Sequence, residues 1–274
     1  MPNLSKNLKK DLKKVDSLMR KNLSKEPVVS DLYDYIFDKS GKKVRASISL
    51  ISSYGMNKNQ QNRVKLAAII ELLHTATLVH DDIVDNSDLR RGRTTVNVAW
   101  SNSHGVLIGD FIYSKAFMLM NEIGNLKVVD ELSSATNKIA EGELMQLGNK
   151  SNLDTSLQQL KRISYYKTGR LFEASAKSAA MLSNKSTSFI KNISKAAKLI
   201  GIAFQVRDDL LDYGISKGNI GKPKMQDILE DKITYPLYFA LKSSCKKDTS
   251  KICLLYTSDA ADDLLCVDLG GRRI

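Results

Sequence analysis

The chain has 274 residues, 42% of them hydrophobic, and a formal net charge of +12. That length supports a sizeable core in one large domain or two small ones, and only 4 prolines and 15 glycines interrupt it. The charge admits nucleic acid, an anionic membrane surface or a polyanionic small molecule, but the sequence has no zinc-ligand cysteine spacing, no aromatic RNA-binding signature and no run of ~18 apolar residues that would span a membrane.

Apolar residues recur at three- and four-residue spacing, which predicts an all-α protein. Leu4, Leu8, Leu12, Val15, Met19 and Leu23 share a helical face with lysines on the others. This reads as a first helix docked on the core rather than one lying on a membrane, and Pro27 is expected to end it. A second helix runs from near Ser30 to Ser40-Gly41, and a third through Ile48 and Leu50 to Gly55. Arg63 to Asp85 is a long helical pattern, followed by loop at Asn86-Ser87 and Arg91-Gly92. Further helices are expected over Val106 to Ile123, Val128 to Leu147, and from Asp154-Thr155-Ser156 to Leu182. Ser186 to Tyr213 is helical and closed by Gly214. After a loop to Gly221, a last helix starts near Met225. Many helices with short connections and no internal repeat describe a helical bundle.

Cys245, Cys253 and Cys266 are odd in number and lack metal-site spacing, so a reducing compartment is expected. The N-terminus has no apolar run of a signal peptide, and the protein is expected in the cytoplasm. The final stretch LLYTSDAADDLLCVDLGGRRI has no lysine in an otherwise lysine-rich chain. We read 1–253 as one domain, C-terminally incomplete, and 254–274 as a non-native tail.

Two acidic clusters carry the chemistry. Asp81, Asp82 and Asp85 end the long fourth helix; Asp208, Asp209 and Asp212 end another, with Gln205 one turn earlier. Carboxylates four apart share a face and repel by a few tenths of a kcal/mol. At a helix C-terminus the macrodipole disfavours them further, and a bound cation removes both objections. One such cluster alone is usually a solvated helix end; two with the same spacing are hard to dismiss. Oxygen donors without cysteine or a histidine pair favour Mg²⁺, and two facing carboxylate walls could hold a diphosphate through bridging ions.

A diphosphate also needs cationic side chains. Arg90 and Arg91 follow the first cluster, Lys42 and Arg45 stand at a helix start, Lys167-Thr168 lies mid-helix after two tyrosines, and Lys222 and Lys232 follow the second cluster. Lys43, Arg93 and Arg170 read as solvated cations. His74, two turns before Asp81, shares its face; His80 faces away, and His104 reads as structural.

HTATLVHDDIVDNSDLRRGRTTVN, GDFIYSKAF, AEGELMQL, YKTGRLFEAS, FQVRDDLLDY and DILEDKITYPL occur here in an order that resembles trans-polyprenyl diphosphate synthases, over roughly residues 30 to 242. The resemblance implies the all-α isoprenoid synthase fold, a single-domain bundle around a central cavity. It implies Mg²⁺ held by Asp81, Asp82, Asp85, Asp208, Asp209 and Asp212, with Lys167 beside them. Lys42, Arg45, His74 and Arg91 would bind isopentenyl diphosphate. Arg90, Lys167, Thr168, Gln205, Lys222 and Lys232 would surround an allylic diphosphate such as farnesyl diphosphate. A homodimer, no nucleic acid and at most peripheral membrane contact are implied too. Where the family has Gly-Gly-Lys and Arg-Pro, this chain has Ser40-Gly41-Lys42 and Arg45-Ala46, keeping the cations.

In such enzymes an aromatic residue four or five positions before the first aspartate blocks chain growth. Ala76 and Thr77 are small, which implies a medium or long product such as a quinone side-chain precursor. A class I terpene cyclase is the nearest rival; the second Asp-Asp-x-x-Asp and the Lys42/Arg45 pair argue against it. A non-catalytic partner subunit would be expected to lack site residues that this chain retains.

Overall fold

A computed structural model describes residues 2–21, 24–38, 41–54, 60–214 and 225–244. The side chain of Leu4, together with Leu23, Ser40, Gly55, Lys222, the three cysteines and the final stretch, lies outside the described residues.

Helix α1 (Pro2–Arg20) packs Leu8, Leu12, Val15 and Met19 against the core and turns its lysines outward, so its amphipathic pattern is a docking face. Pro27 does not end this helix; it is the first residue of α2 (Pro27–Asp38), where its missing N–H is harmless. Helix α3 (Val44–Ser52) has no side-chain cap of its own: Lys43 precedes it with a left-handed φ of 48°. The cap comes from Glu71 of α4 (Gln60–Val84), whose carboxylate accepts from the Ala46 N–H at 2.9 Å.

The loop expected after α4 holds a short hairpin, β1 (Leu89–Arg90) paired antiparallel with β2 (Arg93–Thr94). Its turn residues Arg91 and Gly92 both have positive φ, 55° and 70°, as tight hairpin turns require. A short α5 (Val96–Ala99) leads to α6 (Asn102–Ile123) and α7 (Leu126–Leu147), capped by Ser101 and Asn125. Ser156 and Gln159 form a capping box that starts α8 (Leu157–Ser164), near the expected start. The single helix expected from there to Leu182 is interrupted by a π-turn at Tyr165–Gly169 before α9 (Arg170–Leu182). Helix α10 (Thr187–Asp212) follows, then α11 (Gln226–Leu229) and α12 (Tyr235–Ser243), where one helix was expected.

Leu66, Ala67, Ala68, Ile69, Ile70, Leu72 and Leu73 are all fully buried, so α4 is the central helix, packed by α1, α3, α6 and α9. Helices α9 and α10 approach closely because Gly201 has no side chain; a Cβ there would lie 2.7 Å from the Cα of Gly169. The molecule is an all-α bundle whose α4 and α10 end in acidic clusters. Among the described residues no helix is long and apolar enough to cross a membrane.

Candidate active site

The acidic end of α4 is already engaged by cations. Arg90 on the hairpin grips Asp82, its Nε 2.7 and 2.8 Å from the two carboxylate oxygens. Lys232, in the turn before α12, donates to Asp85 at 2.8 Å and also pairs with Glu230. Burial pushes the Asp81 carboxyl up to about 7 against the pull of the Lys167 ammonium.

At the end of α10, Asp209 accepts from Gln205 at 2.8 Å, and Gln205 accepts from the Thr168 hydroxyl at 2.5 Å. Burial raises Asp209 to about 6. Asp212 accepts from the backbone N–H groups of Gln226 and Asp227, both at 3.1 Å, and so caps α11. Asp208 is also raised by burial, opposed by Arg45, Arg207 and Lys42.

Lys167 stands between the two ends. It extends from the π-turn to Glu143 and Gln146, each at 2.8 Å. Burial works against its charge, but Glu143, Asp81 and Asp85 together hold it well above its ordinary value. It also favours the charged form of Asp209, so one ammonium acts on both acidic clusters. Lys232, in the field of Lys167, is held charged by Asp85 and favours the charged form of Asp227. Asp227, buried next to Asp209 and Asp212, is pushed up to about 8.

A second cationic group lies along α3 and α4. Arg45 donates to the His74 ring at 3.0 Å and lies over the Phe172 ring at 4.5 Å. Burial lowers Arg45 to about 10, and its buried Nε makes no hydrogen bond. His74 is driven well below its usual range by burial and by Arg45, Arg91 and Arg90. Arg91 is lowered by burial and then by Arg90, and its guanidinium fills the space a Cβ on Gly41 would need, 2.6 Å away. A cavity of about 120 Å³ is lined by Gly41, His74, Asp82, Arg90 and Arg91. Crowded cations with an unsatisfied donor fit an anionic ligand.

All the expected site residues except Lys222 are thus described, and they gather around α4, the π-turn and the end of α10. Ala76 is fully buried in the core, and the half-buried Thr77 donates to the His74 carbonyl at 2.8 Å. His80 faces α6, and the His104 ring meets Ser101 at 2.8 Å, as a structural residue would. Glu71, Glu143, Gln146, Asp227 and Glu230 were not expected. The i, i+3 spacing of Glu143 and Gln146 in AEGELMQL was the available signal for two of them. Arg170 is not solvated but buried against Glu131, Lys43 pairs with Asp16, and Arg93 lies over the Tyr35 ring.

Among the described residues no three acidic, histidine or cysteine side chains converge enough to hold a metal ion by themselves. Raised carboxyls at Asp81 and Asp209, with oxygen as the only donor, still suit a hard divalent cation that completes its shell with phosphate oxygens.

The family model for polyprenyl synthetase matches residues 26–265. The octaprenyl diphosphate synthase of Escherichia coli is 41% identical over 214 residues, covering 78% of this chain and 66% of that enzyme's length. Among solved structures, a decaprenyl diphosphate synthase from Rhodobacter capsulatus is similar with a TM-score of 0.85 and 34% identity, over 93% of this chain and 79% of that one. A Caulobacter crescentus polyprenyl synthase complexed with calcium and isoprenyl diphosphate gives 0.83 and 30%, over 95% and 85%.

Proposed function

The chain belongs to the polyprenyl synthetase family, and from that premise we propose that it joins isopentenyl diphosphate head-to-tail to an allylic diphosphate, making a medium or long all-trans polyprenyl diphosphate for quinone side chains. The observation that carries this reading is Lys167, whose ammonium acts on Asp81 and Asp85 of one acidic helix end and on Asp209 of the other. A separate group, the cations Lys42, Arg45 and Arg91 with the neutral His74 ring against Arg45, would serve a second diphosphate.

Magnesium held by Asp81, Asp82, Asp85, Asp208, Asp209 and Asp212 would supply positive charge to the departing diphosphate. Lys167 and Lys232 would meet the charge that develops as the allylic C–O bond breaks, with Arg90, Thr168, Gln205 and Lys222 around the same group. Arg45 and Arg91 would fix isopentenyl diphosphate so that its double bond attacks the allylic carbon. The proton then lost from the new chain can leave on the released diphosphate. Water would have to be kept from the cation while it exists. Ala76 and Thr77, small and about one turn before Asp81 on α4, are the positions we assign to the control of product length.

We assign the protein to the cytoplasm as a homodimer, with farnesyl diphosphate as primer, at most peripheral membrane contact and no nucleic-acid partner. Leu107 and Met118 on α6, 68% and 54% exposed and about three turns apart, support a subunit contact.

The test is incubation with farnesyl diphosphate, isopentenyl diphosphate and Mg²⁺, with products sized by mass spectrometry. Polyprenyl diphosphates that require isopentenyl diphosphate are expected. Consumption of farnesyl diphosphate without it would indicate a cyclase instead.

A further inference from the structure

The π-turn at Tyr165–Gly169 inserts one extra residue between α8 and α9 and closes with the Arg170 N–H bonded to the Tyr165 carbonyl. Such an insertion is strained relative to continuous α-helix and persists where its surroundings hold it. Both of its ends are tied to one charged network. The Tyr165 hydroxyl donates to Glu173 at 2.5 Å. Glu173 lies 3.7 Å from the Arg170 guanidinium, and Arg170 Nη1 donates to Glu131 of α7 at 2.5 Å. Glu131 and Arg170 are only 5% and 8% exposed, so the pair acts in a weakly screened setting where its geometry is well defined. The ammonium of Lys198 lies over the Tyr165 ring at 3.9 Å and closes the outer face.

None of these four groups, Tyr165, Arg170, Glu131 and Glu173, touches Lys167 Nζ or the Thr168 hydroxyl. Yet Lys167 and Thr168 lie within the turn that they bracket. Removing the extra residue's distortion would rotate one flank by about 100° against the other. Lys167 would then lose Glu143 and Gln146, or Thr168 would lose Gln205.

We propose that Tyr165, Arg170, Glu131 and Glu173 form a clamp that holds the π-turn open and thereby positions Lys167 and Thr168 toward the allylic diphosphate. The clamp residues are positioning residues, and their catalytic consequence rests on the synthase reading above. It is specific to one substrate, because the isopentenyl group of Lys42, Arg45, His74 and Arg91 lies on other elements.

The test compares Tyr165→Phe, which removes one hydroxyl, and Arg170→Lys, which keeps the charge, with Lys177→Ala. Lys177 also pairs with Glu131, at 2.5 Å, but lies beyond the turn and outside the clamp. Tyr165→Phe and Arg170→Lys are expected to raise KM for the allylic diphosphate about tenfold and to leave KM for isopentenyl diphosphate within about twofold. Amide exchange measured by mass spectrometry should rise over residues 165–170 in both variants and not in Lys177→Ala. Equal changes in the two KM values, or unchanged exchange over the turn, would overturn the clamp. An inactive wild-type chain would sink the synthase reading instead, leaving the exchange comparison to decide the clamp.

Discussion

Lys167 is flanked by Glu143, Gln146, Asp81 and Asp85, and burial alone would lower its charge. Replacing it with methionine removes that cation while filling similar volume. Turnover should fall at least about a hundredfold, with the helical circular dichroism retained. Ala76 is fully buried one turn below the acidic end of α4. Ala76→Tyr should shorten the product, read as chain length by mass spectrometry, and should destabilise the fold by about 1–3 kcal/mol through overpacking. At this scale the paired aspartates were legible because a four-residue spacing reports a shared face directly. Charge partners were not. Arg170 looks like any surface arginine until Glu131, 39 residues earlier, is brought against it. Asp212 looks like its neighbours until the Gln226 and Asp227 N–H groups take its oxygens.

Helix α1 is held to the bundle by an unusual element-to-element contact. Buried Lys115 on α6 donates to the carbonyls of Met19 and Lys21 and meets the Tyr33 hydroxyl, at 2.8, 2.5 and 2.6 Å. Burial, with help from Lys21, lowers its ammonium from 10.5 to about 8. The unfolded chain therefore binds more protons between about pH 8 and 10.5, and this group's contribution to stability rises with pH across that window. Urea denaturation of wild type and Lys115→Gln should show the wild type gaining relative stability from pH 8 toward 10. A parallel pair of curves would contradict the assignment. Gly201→Ala would drive a methyl into Gly169 and Phe172, and a loss of about 1–3 kcal/mol in the same assay is expected. The long helices α4, α6, α7 and α10 could be read from periodicity because burial follows the 3.6-residue repeat over many turns. Pro27 could not, since proline suits a helix start as well as a stop. The π-turn and the two-residue strands are set by tertiary partners and leave no periodic trace.

Over the whole molecule the net charge of +12 is not spread blindly. Lys6, Lys9, Lys10, Lys13 and Lys14 are exposed on α1, while Arg45, Arg90, Arg91, Lys167 and Lys232 interact with groups at or near the acidic ends of α4 and α10. The bundle was legible because apolar spacing along the chain reports its helices, and the same order specifies which helix ends carry acids. Where those ends lie in the bundle depends on α9 and the π-turn, which pack against α10, and on α9 packing against α4. The most direct test is calorimetric titration of inorganic pyrophosphate with and without Mg²⁺, on the wild type and on Asp81→Asn and Asp208→Asn separately. Magnesium is expected to tighten binding to the wild type by at least about tenfold, and that gain should vanish in each variant. Retention of the full gain in either variant would mean that the two acidic clusters do not share one diphosphate.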